Sequence, residues 1–277
     1  MNLIALMYHD VTPEGREDAS GFPGGDAARY KLTPSAFDDH LAAMRVSAHG
    51  PAVAIDDVDV RRGPAPLLLT FDDGGASAVV IADRLERLGW RGHFFMTAAY
   101  VNQPGFLTAP ELRDLRRRGH LIGSHSYSHP LRMGRLPLDR LRAEWARSVA
   151  RLADVLGEPI HTASVPGGHH SPAVARTAAE AGVRFLFTSA PIARTRRIGE
   201  MIVIGRYVVQ RSTGATVVAA VAAGSPGPRL RQRALWELKK AAKTAGGATY
   251  LAVRDRLLGR SDKVRWGDDP PLSKNAP

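Results

Sequence analysis

The chain has 277 residues, of which 44% are hydrophobic and 23% charged, and a formal net charge of +11. That length allows one large α/β barrel or two small domains, with enough apolar content to bury a sizeable core. It has no cysteine, which excludes disulfides and thiolate metal ligands, and no apolar run of about 18 residues, so no membrane-spanning helix is expected.

Leu3–Tyr8 reads as a first strand. The segment from Met1 to Asp10 has a short apolar run but no basic region before it, unlike a signal peptide, so cytoplasmic residence is expected. A polar, Gly-rich loop follows over 13–28. Thr33 and Pro34 then form the cap and first position of a helix over 35–45. Leu67–Phe71 has the unbroken apolar character of a buried strand, and Ala76–Leu88 reads as a helix closed by Gly89. His93–Thr97 is the next strand. Thr108 and Glu111 are spaced as a capping box for a helix that runs to Arg118 and stops at Gly119. Then come a strand at Leu121–Ser124, a long helix at Leu138–Leu156, a strand at Thr162–Val165 and a helix at Pro172–Ala181. Phe185–Thr188 and Met201–Ile204 are strand-like. This alternation predicts a parallel barrel or a doubly wound sheet. Beyond residue 213 the pattern turns helical, over 214–223, 228–245 and 248–259, and 261–277 reads as a disordered tail.

Two clusters stand out chemically. Asp-Asp occurs four times, so the dipeptide alone carries no information. Asp72-Asp73, however, directly follows the buried strand Leu67–Phe71, where two charges are costly unless compensated. In parallel α/β folds that end of the strand is where active sites form. His125 and His129 stand at the end of another predicted strand. With one carboxylate they make a His₂Asp set that leaves coordination positions for water and substrate.

Together, the run Thr70-Phe71-Asp72-Asp73-Gly74 and the later run His125-Ser126-Tyr127-Ser128-His129 resemble the first two motifs of the polysaccharide deacetylase family, built on the NodB homology domain. Met7-Tyr8-His9 is similar to the family's opening strand. The resemblance covers roughly residues 1–210. It implies a distorted (β/α) barrel of fewer than eight strands over 1–212, followed by a C-terminal helical extension over 213–260. By the same resemblance Asp73, His125 and His129 would bind a divalent metal, usually Zn²⁺, and Asp72 would be the general base. The chemistry is coherent: the ion acidifies water and polarises the amide carbonyl, and an adjacent carboxylate off the ion accepts the proton.

The family's third motif, Arg-x-Pro-x-Gly, corresponds here to Ser164-Val165-Pro166-Gly167-Gly168. The Arg that orients the base has become Ser164, so Asp72 needs another partner or acts less well positioned. Gly167 can still offer its backbone N–H to an oxyanion. Pro166, Gly167 and Gly168 are thus expected to face substrate, as is His9. The family's late His acid has no counterpart, since no His follows position 170. His169 and His170 are the candidate acids, with His9 as a further one.

The implied activity is removal of the N-acetyl group from an N-acetylhexosamine in a polysaccharide, oligosaccharide or lipid-linked precursor. The missing Arg and late His motivate an alternative, a non-catalytic sugar-binding or regulatory protein on the same fold, against which the retained Asp72 argues. The Pro-Gly-Gly segment and basic helical extension are similar to family members of exopolysaccharide biosynthesis. The basic charge is concentrated after residue 110. Genome bias toward Arg explains this as well as a functional surface does, and no nucleic-acid partner is expected because no recognition motif accompanies the charge. Over 228–245, leucines and alanines at helical spacing flanked by Arg and Lys fit either a helix packed on the barrel or one lying on the inner face of an anionic membrane.

Overall fold

The computed structural model describes residues 1–58, 64–130, 132–168 and 170–257, with the backbone alone from 242 onward. The tail over 261–277 and His169 lie outside the described residues. Nine strands form one sheet: β1 (Ile4–Tyr8), β2 (Leu67–Phe71), β3 (Gly92–Met96), β4 (Leu121–Ser124), β5 (Thr162–Ser164), β6 (Phe185–Thr188), β7 (Arg196–Ile198), β8 (Met201–Gly205) and β9 (Tyr207–Val208). The helices are α1 (Gly25–Ala28), α2 (Pro34–Ser47), α3 (Ala78–Glu86), α4 (Ala109–Arg117), α5 (Leu138–Leu156), α6 (Pro172–Glu180), α7 (Ala215–Ala222) and α8 (Pro226–Leu257).

The spatial order is β7-β8-β6-β5-β4-β3-β2-β1-β9, and every pairing is parallel except β7 with β8. β8 and β9 are one run of chain interrupted only at Arg206. Its first part pairs with β6 and its last two residues pair with β1. One segment therefore bridges both ends of the sheet and curls it into a distorted barrel. Leaving out the antiparallel edge β7 and counting β8–β9 once, the parallel staves number fewer than eight, as expected.

Side-chain alternation sets what lies inside. Ile4, Leu6 and Tyr8 of β1 and Leu67, Leu69 and Phe71 of β2 pack outward against Phe37, Leu41 and Met44 of α2 and Ile81 and Leu85 of α3. Leu3, Ala5, Leu68, Phe95, Phe187 and Ile204 make the interior cluster. By the same parity Thr70 and Asp72 point inward, so the interior becomes polar at the C-terminal end of β2. A third cluster, including Trp145, Val174 and Leu186, seats α5 and α6 on the far strands.

Three features differ from the sequence reading. Helices expected over 228–245 and 248–259 form one continuous α8 running through Gly246-Gly247; each helical Gly costs only about 1 kcal/mol, which punctuates a helix without compelling a stop. β7 and β9 are too short to leave a pattern. The loop over 13–28 includes a short helical turn at Glu17–Ala19 and α1, and it buries Ser20, Gly21 and Phe22.

Gly205, at the turn into Arg206, has no room for a side chain. A Cβ there would stand 2.3 Å from the Ala190 carbonyl oxygen and 2.5 Å from that of Ile192. Gly205→Ala is expected to lower stability by about 1–3 kcal/mol in urea unfolding; an unchanged midpoint would show that the barrel seam is looser than described.

Candidate active site

The chemistry-bearing loops leave the C-terminal ends of β2 and β4, held by backbone bonds between neighbouring strand ends. Asp72 N–H donates to the Tyr8 carbonyl at 3.0 Å, and His125 N–H to that of Met96 at 2.7 Å. The chain then turns sharply. Asp73, Ser126 and His129 adopt φ of 78°, 65° and 59°, in the left-handed region that non-Gly residues rarely occupy. Among the described residues only Asn102 shares that property. Such backbone persists where surrounding structure over-determines it, and it clusters at functional sites.

Asp72 is buried, and its partner is Arg206. The guanidinium donates Nη1 to Oδ1 at 2.7 Å and Nη2 to Oδ2 at 2.8 Å, a two-pronged pair with both side chains out of solvent. Arg206 also donates to Thr70 Oγ1 at 3.1 Å and to the Thr188 carbonyl at 3.2 Å. Burial alone would raise the Asp72 pKa; the Arg206 charge and hydrogen bonds, helped by His125, outweigh it and hold the carboxyl well below the usual range. Asp72 is thus ionised at any physiological pH. The loss of the third-motif Arg leaves no vacancy, because Arg206 supplies the cation from the barrel seam. The sequence reading missed it, although a lone Arg inside the apolar run Met201–Val209 was the available signal.

Ser164, at the place of that Arg, links base and ligand. A carboxylate can only accept, so Ser164 Oγ–H donates to Asp72 Oδ1 at 3.1 Å. Its oxygen is then left to accept from His125 Nδ1–H at 2.6 Å, with the Ser164 carbonyl beside it at 3.2 Å. This fixes the tautomer: His125 Nε2 carries a lone pair, aimed away from Ser164.

That lone pair meets two others. Asp73 Oδ1 lies 3.5 Å from His125 Nε2 and 3.5 Å from His129 Nε2, and ligand atoms of the three residues all fall within 4.8 Å of one another. The separations are too long for hydrogen bonds but fit donors around an ion: bonds of about 2.1 Å in a tetrahedral set have edges of about 3.4 Å. Burial lowers the pKa of His125 to about 3 and of His129 to about 4, keeping both imidazoles neutral as ligands must be. Burial, with Asp72 and Asp10 nearby, pushes Asp73 up to about 7 even against His9 and Lys31. A carboxylate so disfavoured is one that a cation would relieve. The residues present therefore fit a divalent ion.

The loop carrying both histidines is clamped from α5. Glu144 Oε2 accepts from the backbone N–H of Tyr127 at 3.0 Å and of Ser128 at 2.9 Å, and Oε1 accepts from Ser128 Oγ at 2.6 Å. On the other side, the segment after β1 is tied down by polar contacts. The Lys31 ammonium donates to the carbonyls of Glu17, Ser20 and Phe22 at 2.6–2.8 Å, and Asp10 Oδ1 accepts from Ser20 and Ser77 hydroxyls. This sets the Phe22 ring 4.9 Å from His129 and the Tyr30 ring 4.7 Å from His9.

The remaining candidates separate. His9 acts electrostatically on Asp72, Asp73 and His125, and its Nδ1 is buried without a partner among the described residues. His170 Nδ1 is likewise buried without a partner among the described residues, but its ring senses Arg196 of β7, and burial lowers its pKa first of all. Pro166 is buried, while Gly167, with φ 59°, is exposed just after the strand that carries Ser164.

Residues 59–186 match the model of the polysaccharide deacetylase family. This stretch is similar to the polysaccharide deacetylases. Over 81 residues it is 35% identical to the peptidoglycan-N-acetylglucosamine deacetylase PgdA of Listeria monocytogenes, a match covering 28% of this chain and 16% of that relative. An uncharacterised 30.6 kDa protein of Geobacillus stearothermophilus is 30% identical over 95 residues, 33% of this chain and 34% of the relative. The match thus spans only a small part of the PgdA relatives. Among solved structures, the polysaccharide deacetylase BC0361 of Bacillus cereus superposes with a TM-score of 0.67 at 18% identity, covering 80% of this chain and 69% of that one. IcaB from Ammonifex degensii gives 0.65 at 22% identity, covering 80% and 97%. These likenesses show the deacetylase fold.

Two variants probe how this deacetylase-fold site is held. Arg206→Met strands a buried carboxylate, so a loss of about 3–5 kcal/mol in unfolding free energy is expected. Since the Asp72 pKa is depressed in the fold, the pair's contribution exists above the unfolded-state pKa and fades as pH falls below it. The wild-type advantage over Arg206→Met should accordingly shrink in acid; a pH-independent difference would contradict this. Glu144→Gln exchanges a three-fold acceptor for a group with one acceptor oxygen. Zinc affinity measured by competition with a chelator should fall about 10–100-fold, and unchanged affinity would show that the loop holds its shape unaided.

Proposed function

We propose that the protein is a metal-dependent hydrolase that removes the N-acetyl group from an N-acetylhexosamine of a glycan or glycan precursor, with residues 1–212 as its catalytic unit. The observation that carries this reading is the placement of Asp72, paired to Arg206 through two hydrogen bonds, beside the convergent donors of Asp73, His125 and His129. The match of residues 59–186 to the polysaccharide deacetylase family supports the reaction class.

Asp73, His125 and His129 would hold the ion, with Zn²⁺ favoured by the two imidazoles and one carboxylate. When bound, the ion supplies Lewis acidity to the amide carbonyl and to water. Asp72 takes the proton of the attacking water, and Arg206 and Ser164 fix where its oxygens point. The backbone N–H of Gly167 is the donor assigned to the developing oxyanion. As the C–N bond breaks, the leaving nitrogen takes a proton and departs as an amine, and the acetyl carbon ends in acetate.

For that proton we assign His9 over His169 and His170. His9 follows β1 at the rim and couples to both aspartates and to His125; a buried, unpartnered Nδ1 is common to His9 and His170 and does not separate them. His170 faces the charge of the β7 edge. The rival reading, a binding protein without catalysis, loses one of its two motivations because Arg206 stands in for the missing Arg.

Acetate release from N-acetylglucosamine oligomers by the zinc-loaded protein tests the reading. Asp72→Asn should keep its zinc and lose about 10²–10⁴ in rate; wild-type activity in that variant would remove Asp72 as the base. His9→Ala should lose a comparable factor and His170→Ala little, while the reverse order would move the acid to the third-motif loop.

A further inference from the structure

Helix α8 is attached to the barrel by its polar side. Gln232 donates to the Val208 carbonyl at 3.1 Å and accepts from Val208 N–H at 3.2 Å. Arg229 bonds Tyr207 Oη at 2.8 Å and the Gly224 carbonyl at 2.9 Å. Arg229, Gln232 and Trp236, spaced three and four apart, share one helix face, and all three are half-buried. At about 100° per residue, Leu230, Ala234, Leu238 and Ala241 fall on the opposite face, with Leu235 at its edge. Leu230, Leu235 and Leu238 are 62%, 47% and 67% exposed. An ordinary surface helix turns its apolar stripe to its own core. This one turns it to solvent, which signals an external partner.

The surrounding charge says which partner. Between residues 226 and 241 the basic side chains are Arg229, Arg231, Arg233, Lys239 and Lys240, against one acid, Glu237. Arg231 lies on the leucine face itself, and Arg233 and Lys239 are exposed on the two sides between that face and the barrel, on a chain with net charge +11. A second copy would bring like charge against like. An anionic lipid surface complements the charge and accepts the leucines at its acyl boundary. No described helix is long and apolar enough to cross a membrane, so the contact is interfacial. We infer that α8 lays its Leu230–Leu238 face on an anionic membrane surface and holds the barrel there.

Co-sedimentation of the full chain with vesicles of phosphatidylcholine, alone or mixed with phosphatidylglycerol, tests this. Partitioning onto the anionic vesicles should be on the order of a hundredfold stronger, from three exposed cations each worth about fivefold, and should weaken with salt. The combined variant Leu230→Gln, Leu235→Gln, Leu238→Gln should lose at least about tenfold of that binding while its circular dichroism and thermal midpoint stay at wild-type values. Arg231→Glu with Arg233→Glu, which leaves the three leucines in place, should lose the preference for anionic vesicles. Equal binding to neutral vesicles, or none to either, overturns the inference. So does a leucine-dependent dimer in solution without vesicle binding, which would give the face to a second copy.

Discussion

The two-pronged pair between Arg206 and Asp72 is the contact on which the rest of the site depends. It joins the chain segment that closes the barrel to the strand that delivers both aspartates. Taking two charges out of water is costly, and the cost is offset only when geometry and additional hydrogen bonds are good. Here Thr70, Thr188 and Ser164 supply those bonds. What the arrangement secures is orientation and ionisation. Asp72 cannot turn toward the neighbouring donors without breaking the pair, so two adjacent carboxylates keep different environments and different pKa values, the condition under which two like groups take different roles.

The three convergent donors are held with equal care by groups that do not converge on them. Ser164 sets the His125 tautomer from below, Glu144 clamps the histidine loop from α5, and Lys31 folds the segment that brings Phe22 against His129. Left-handed backbone at Asp73, Ser126 and His129 is held by hydrogen bonds: Thr97 N–H donates to the Asp73 carbonyl, Ser126 N–H to Ser124 Oγ and His129 N–H to Ser126 Oγ. The site is thus set by strand ends and fastened loops, with little left to the flexibility of the side chains themselves.

Much of this was legible in the sequence, for identifiable reasons. Strands buried on both faces read as apolar runs, and Leu121–Ser124 and Phe185–Thr188 coincide with β4 and β6. Asp72-Asp73 and the histidine pair were legible because each follows such a run. Arg206 was not, because its partner lies far away in the chain and only barrel closure brings them together. The same holds for Glu144, indistinguishable in the sequence from any other acid on a long amphipathic helix. His9 was visible, but its standing relative to His170 depends on which loop faces the aspartates. The direction of α8's apolar stripe was also hidden, since periodicity reveals that a helix has two faces and not which one meets the barrel.

A crystal structure of the zinc-loaded protein, with the ion located by its anomalous signal, tests this account most directly. It should place the ion on Asp73, His125 and His129, with Asp72 still paired to Arg206 and off the metal. An ion ligated by Asp72, or an Arg206 guanidinium turned away from it, would contradict the division of labour between the two aspartates.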